Sequence, residues 1–422
     1  MIELLPIETY DIILLSAGIV ILLAALLPDV FEDRLITLPI FYLIFSGIVF
    51  GLLVDIDITH LAEGPYWAKR VTELAVIISL TGVGLKINKP FDKKTWSISS
   101  RLLIITMPIT ILLMALIGWW FLGFIPATAV LLGAVISPTD PVLAEEVQTT
   151  PPLEEDVLST QVALTTEAGL NDGLAFPFTN MAIAIAFAGV APAGWFMEWF
   201  LVDFLYKILI GSAVGVLLGY LIGRLVYSLP APGIRKSNIS IGIIALALTL
   251  IPYGAAEILS SYGFIAVFVA ACTFRYQESE HEYLPTLHDL SEQMEQILVL
   301  LVFLLIGIYL TSGFIHDFQW YMIPTALATI FLIRPLAGIL GIMDLSLPWQ
   351  KKTVISFFGI RGVGSVYYLM YALYHADFHQ AGEVLALVTV IIIISVIVHG
   401  LLAKPAIDWI NRVKKAGNEK NQ

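Results

Sequence analysis

Long apolar stretches, each closed by Pro, Gly, Asp or Lys, recur along almost the whole chain. A helix needs about 20 mostly apolar residues to cross a bilayer. Thirteen stretches meet or approach that need: residues 12–27, 35–54, 71–87, 101–122, 126–145, 157–189, 198–227, 238–258, 261–275, 287–311, 320–344, 352–374 and 382–411. The first, and the one after Ser261, are short, and three are long enough to require tilt or a kink. Continuous runs such as VLALVTVIIIISVIV (384–398) lack the alternation of a membrane β-barrel and exclude one. No Lys or Arg precedes Arg34, so nothing resembles a cleaved signal peptide, and the first span is expected to be retained. The pattern predicts an all-α integral membrane protein of about 13 transmembrane helices.

Composition narrows the class further. Of 422 residues, 58% are hydrophobic and only 13% are charged. Soluble domains carry about twice that charged share, so a charged surface cannot be built here. A soluble enzyme, a disordered chain and a disulfide scaffold are excluded. The net charge of −12 argues against nucleic acid as a partner. Cys272 stands alone and forms no intrachain disulfide.

Basic residues set the orientation. With thirteen spans and the N-terminus outside, the inner segments hold Arg34, Lys86 to Arg101, Arg224 to Lys236, Arg275, Lys351–Lys352 and Lys404 to Lys420. The outer segments hold only Lys69 and Arg70. This asymmetry predicts a multi-pass cell-membrane protein with a cytoplasmic C-terminus.

Charges within spans are costly and point to function. Ser137-Pro138-Thr139-Asp140-Pro141 interrupts the fifth span, and its two prolines predict an extended break. Freed carbonyls and the Asp140 carboxylate suit a cation there; Asp140 capping a second half-helix is compatible with that. In the sixth span, Thr166-Glu167-Ala168-Gly169-Leu170-Asn171-Asp172 places Glu167 and Asn171 on one face, with Asp172 turned away. Two acids this deep cannot both remain bare anions. One needs a cationic partner, and the other must be neutralised by a proton or a bound cation. In the twelfth span, Gly359-Ile360-Arg361-Gly362 supplies the natural partner, Arg361; Arg334-Pro335 is a second candidate. Asp203 and Lys207, at i and i+4, read as a structural pair.

The broken spans are the fifth and the twelfth, seven apart. That spacing fits two inverted six-helix repeats joined by a linker helix, a plan in which discontinuous helices cross at the midplane. The expected division is 1–189 for the first repeat, 190–236 for the linker, 237–411 for the second repeat and 412–422 for a short cytoplasmic tail.

SPTDP (137–141), TEAGLND (166–172) and GIRG (359–362), in this order within thirteen spans, resemble the monovalent cation:proton antiporter family, in its sodium/proton exchanger (NhaP/NHE-like) branch. The resemblance covers nearly the whole chain. It implies an NhaA-like fold with broken crossing helices, usually a homodimer, and a secondary transporter rather than an enzyme. It implies exchange of a monovalent cation, sodium first, for protons in pH and cation homeostasis, with no cofactor. Asp172 would be the exchanging carboxylate, with Thr139 and Asp140 beside the cation and Glu167 and Arg361 as a buried ion pair. Asn171 matches a position that is aspartate in the electrogenic branch and so implies one-for-one, electroneutral exchange. Glu73, in the third span, would be an additional acid lining the access funnel. Ala168 departs from the pattern: many relatives have serine there, so a hydroxyl ligand is missing, and potassium (or lithium) is the alternative cation. An intramembrane aspartyl protease is the competing class, but no GxGD, GxSG or HExxH motif occurs.

Overall fold

The computed structural model describes residues 38–52, 65–87, 93–140, 143, 159–228, 238–277 and 284–419, with scattered positions between 15 and 26. The expected first span (12–27) falls largely outside the described residues, as does the end of the fifth beyond Asp140, Leu143 apart. The described chain is helical, without strands. The helices are α1 (Leu38–Leu52), α2 (Pro65–Lys86), α3 (Lys93–Arg101), α4 (Met107–Trp120), α5 (Pro126–Ile136) and α6 (Ser159–Ala188). They continue as α7 (Lys207–Ser228), α8 (Asn238–Ile258), α9 (Gly263–Gln277), α10 (Leu284–Ser312) and α11 (Met322–Ala328). The last four are α12 (Arg334–Ile342), α13 (Trp349–Phe357), α14 (Val363–His375) and α15 (Ala381–Glu419).

These bounds follow the apolar pattern closely. Five helical stretches, among the described residues, are by themselves long and apolar enough to cross a membrane: Trp96–Trp120, Phe196–Tyr227, Leu284–Thr311, Met322–Ile342 and Ala381–Ile410. Two differences from expectation are local. Three π-helical stretches, Leu102–Thr106, Trp199–Tyr206 and Thr329–Ile333, interrupt otherwise continuous helices. The last helix also runs to Glu419, past the expected start of a tail, because nothing from Asn411 to Ala416 breaks a helix.

Packing relies on small residues and self-satisfied hydroxyls. Gly211, Gly215 and Gly219 form a stripe on α7 whose backbone lies against Tyr262, Ala266 and Ala270; a Cβ on Gly215 would come within 2.6 Å of the Ala266 carbonyl oxygen. Such close approach is what small residues at four-residue spacing allow in a membrane. Buried threonines return their hydroxyls to the preceding turn, as Thr110 does to the Thr106 carbonyl (2.8 Å) and Thr179 to Ala175 (3.1 Å). They add polarity without needing partners on other helices.

Candidate functional site

Two broken segments cross at the centre of the bundle. Helix α5 ends at Ile136, and Ser137–Asp140 runs on without helical structure. Helix α13 ends at Phe357, and the chain resumes helical form only at Val363. The two meet through a backbone bond from Asp140 N–H to the Ile360 carbonyl (2.8 Å).

Each break compensates the other. The end of α5 presents free carbonyls, the negative pole of a helix. Arg361 Nη1 donates to the carbonyls of Ser137 and Pro138, both at 2.7 Å. The start of α14 presents free N–H groups, and the Asp140 carboxylate accepts from Val363 N–H. Asp140 also accepts from Leu143 N–H (3.2 Å), so it caps two segments at once. Gly362 lies against the Asp140 carboxylate, where a side chain would not fit. The Arg361 backbone N–H is held by Ser395 Oγ at 2.9 Å, and Ser395 Oγ lies 3.1 Å from His399 Nδ1.

The expected ion pair is corrected here. Glu167 does not pair with Arg361; it pairs with Arg334. Nη1 and Nη2 of Arg334 each lie 2.8 Å from a different oxygen of Glu167, a two-pronged, fully buried fork. Arg334 Nη2 also donates to the Phe358 carbonyl at 3.2 Å. A Cβ on Gly359 would come within 2.6 Å of Arg334 Nε, so the bare glycine backbone lets the guanidinium in. The physical reason for the exchange of partners is that Arg361 lies inside the break, facing the carbonyls of Ser137 and Pro138, whereas the Arg334 side chain reaches Glu167 on α6.

Asp172 is the remaining acid. It is 1% exposed, and among the described residues its Oδ1 accepts no hydrogen bond and it forms no salt bridge. Its carboxylate faces the first turn of α14, where a Cβ on Gly364 would come within 2.6 Å of Oδ1. Its backbone carbonyl accepts from the Tyr368 hydroxyl. Beside it, Asn171 Nδ2 donates to Thr139 Oγ1 (2.6 Å), and this bond orients the amide and leaves Asn171 Oδ1 without a donor. The expected residues Thr139, Asp140, Asn171 and Asp172 are thus brought together around the crossing. Ala168 is buried on the same helix and presents only a methyl group.

Glu73 is not brought to Asp172. It accepts from Arg70 Nη1 (2.7 Å) and from the Tyr253 hydroxyl. An aromatic layer runs from there to Asp172. Tyr253 contacts Phe264 (6.3 Å between centroids), Phe264 contacts Tyr367 (4.8 Å), and Tyr367 contacts Tyr368 (5.1 Å). Phe176, one turn beyond Asp172, is wedged among Tyr262, Phe264, Tyr367, Tyr368 and Tyr371. Sequence reasoning passed over these rings, because aromatic residues in an apolar helix read as ordinary core. The signal was present: Asp172, Phe176 and Asn180 recur every four residues, and Tyr367, Tyr368 and Tyr371 line one face of α14. Asp203 and Lys207 do pair, at 2.6 Å.

A multi-pass helical membrane protein built around two crossed, broken helices and one uncompensated buried carboxylate has the architecture of a secondary transporter. The sodium/hydrogen exchanger transmembrane model matches residues 18–409. The chain belongs to the sodium/hydrogen exchanger family, and hence to transporters, not enzymes. The structure of the sodium proton antiporter MjNhaP1 from Methanocaldococcus jannaschii at pH 8 superposes with a TM-score of 0.71, at 18% identity, covering 93% of this chain and 96% of that one. An electron-microscopy map of MjNhaP1 gives a TM-score of 0.69 at 19% identity, covering 95% and 97%. At such identities the likeness shows the fold. No curated protein matches the chain by sequence.

Proposed function

We propose that the protein exchanges a monovalent cation, sodium first, for protons at Asp172, one for one and without net charge movement. One observation carries this reading: among the described residues every other buried charge at the crossing has a fixed partner, and Asp172 has none. Glu167 is held by Arg334, Arg361 by the carbonyls of Ser137 and Pro138, and Asp140 by the amides of Leu143 and Val363. A lone carboxylate in a low-dielectric site must be neutralised, and a proton or a monovalent cation can each do so. Because both use the same group, each excludes the other, which couples the two fluxes. Asn171 supports the electroneutral form: an amide at that position cannot carry a second proton. Thr139 Oγ1 and Asn171 Oδ1 are the neutral oxygens at hand for the cation, and Asp140 supplies a nearby fixed charge.

In the same reading, residues 1–189 and 237–411 are inverted six-helix repeats joined by the 190–236 linker. The protein works as a homodimer in the cell membrane with the N-terminus outside, and serves pH and cation homeostasis. Potassium is the alternative cation, on the strength of Ala168.

The test is cation-driven proton movement in proteoliposomes with lithium, sodium and potassium in turn. Wild-type protein should exchange, and Asp172→Asn should fold but not exchange. Exchange at the wild-type rate in folded Asp172→Asn would refute the assignment.

A further inference from the structure

The helices fall into two bonded groups. In one, α2, α8, α9 and α7 are joined by Thr81 to Thr249 (2.7 Å), Tyr253 to Glu73, Gly263 N–H to Glu257 Oε1 (3.3 Å), and Gln277 Nε2 to the Gly219 carbonyl (3.2 Å). In the other, α5, α6, α12, α14 and α15 are joined through Arg334, Arg361, Asn171 and Ser395 around Asp172. Where α6 meets α9 the boundary is apolar. Gly169 lies on the Phe268 ring, Gly173 on the Ile265 side chain, and Phe176 stacks on Tyr262 at 4.8 Å.

Farther along α6 the boundary becomes polar. Asn180 Nδ2 donates to Asp203 Oδ1 (2.8 Å) and to the Tyr262 hydroxyl (3.2 Å), and Trp199 Nε1 donates to the Pro177 carbonyl (2.6 Å). Tyr371, which donates to Asn180 Oδ1 (3.3 Å), brings the end of α14 to the same place. There the Lys69 ammonium of α2 sits over two rings of α14, 5.1 Å from the Tyr371 centroid and 4.8 Å from that of Tyr374. Lys69 is buried, with Glu73 and Glu257 as its acidic neighbours.

We propose that Lys69, seated on Tyr371 and Tyr374, is a clasp that holds the Asp172-bearing helices against the α2 group at this one end and so closes the path to Asp172 from the Lys69 face. The inference rests on the antiport reading, in which Asp172 must meet each face in turn. The apolar stretch of the boundary lets the two groups shift past one another, while at the polar end the Asn180 and Trp199 hydrogen bonds share the hold with Lys69. A cation over two aromatic faces is a contact of moderate strength that one side chain can release, unlike the Arg334–Glu167 fork. Its location, on the boundary and away from the carboxylate, suits it to set the balance between the two facing states without touching the cation.

The experiment measures cation-driven proton exchange in right-side-out and everted vesicles for wild type, Lys69→Met and Tyr374→Leu. Without the clasp, the state open to the Lys69 face gains population. The apparent cation Km on that face should fall by about fivefold, and the Km on the opposite face should rise. Tyr374→Leu removes one ring and should shift both in the same directions by less. Unchanged Km values, equal changes on both faces, or a folded Lys69→Met that no longer exchanges would each overturn the clasp. Wild-type protein without exchange would overturn the antiport reading, and the clasp with it; wild-type exchange with unshifted variants overturns the clasp alone.

Discussion

The choice of Arg334 over Arg361 as the partner of Glu167 makes a quantitative prediction. Truncating Glu167 to Ala strands Arg334, and truncating Arg334 strands Glu167, in a site where both side chains are only 3% exposed. Each single change should cost about 3–5 kcal/mol, the usual penalty for leaving one member of a buried pair alone. The double change removes both charges, so its cost should be well below the sum. With two parallel charge-assisted bonds of about 1.5–3 kcal/mol each, the coupling should reach roughly 3 kcal/mol or more. Arg361 provides the control. Its guanidinium binds the Ser137 and Pro138 carbonyls, not Glu167, so the Glu167→Ala, Arg361→Ala cycle should show a coupling of about 1 kcal/mol or less. The assay is denaturant-induced unfolding in mild detergent micelles, read by tryptophan fluorescence, for the four proteins of each cycle. A larger coupling for Glu167 with Arg361 than with Arg334 would refute this account of the crossing.

Other outcomes follow from the same geometry. Gly364→Ala should impair exchange far more than stability, because its methyl would crowd Asp172 Oδ1; a folded variant with the wild-type cation Km would contradict this. Gly215→Leu should separate α7 from α9 and lower the thermal midpoint in detergent, since its side chain would enter the Ala266 backbone; an unchanged midpoint would count against the close approach. Transport should not respond to an imposed membrane potential, and lower pH should raise the apparent cation Km with little effect on the maximal rate. A rate that varies steeply with potential would mean that a second carboxylate carries protons.

Much of the fold was legible because a membrane imposes a simple rule on sequence: long apolar runs become helices, and Pro, Gly or charge marks where they end or break. The breaks at Ser137–Asp140 and Phe358–Gly362 could be read from prolines and glycines alone, and Asp140, Glu167, Asp172 and Arg361 from the cost of charge in an apolar span. The pairing could not be read that way. Helical angle tells which residues of α6 share a face, but not which distant segment crosses that face. Arg334 and Arg361 are chemically equal candidates until the crossing angle assigns one to a carboxylate and the other to carbonyls. The surroundings of Glu73 were hidden for the same reason. Its depth in α2 was clear, but its neighbours Arg70 and Tyr253, and the ring layer between it and Asp172, depend on packing among α2, α8, α9 and α14.

The corrected partners also bear on how Asp172 would serve two ligands under the proposed exchange. Two broken helices bring poles of both signs to one place: carbonyls at the end of α5 and amides at the start of α14. Left bare, either pole would compete for whatever charge sits nearby. Here each is met by a side chain of opposite charge from the other break, Arg361 on the carbonyls and Asp140 on the amides. An arginine bound directly to Asp172 would hold it as a permanent ion pair and leave no demand for a proton or a cation. Anchored on backbone instead, Arg361 fixes the crossing and, in the proposed mechanism, stays out of the exchange. Arg334, by contrast, holds Glu167 in just such a permanent ion pair. The arrangement keeps four charged side chains fixed, and under the proposed exchange at Asp172 it leaves the fifth able to change partners; that division of roles would account for so many ionised groups around a single carboxylate.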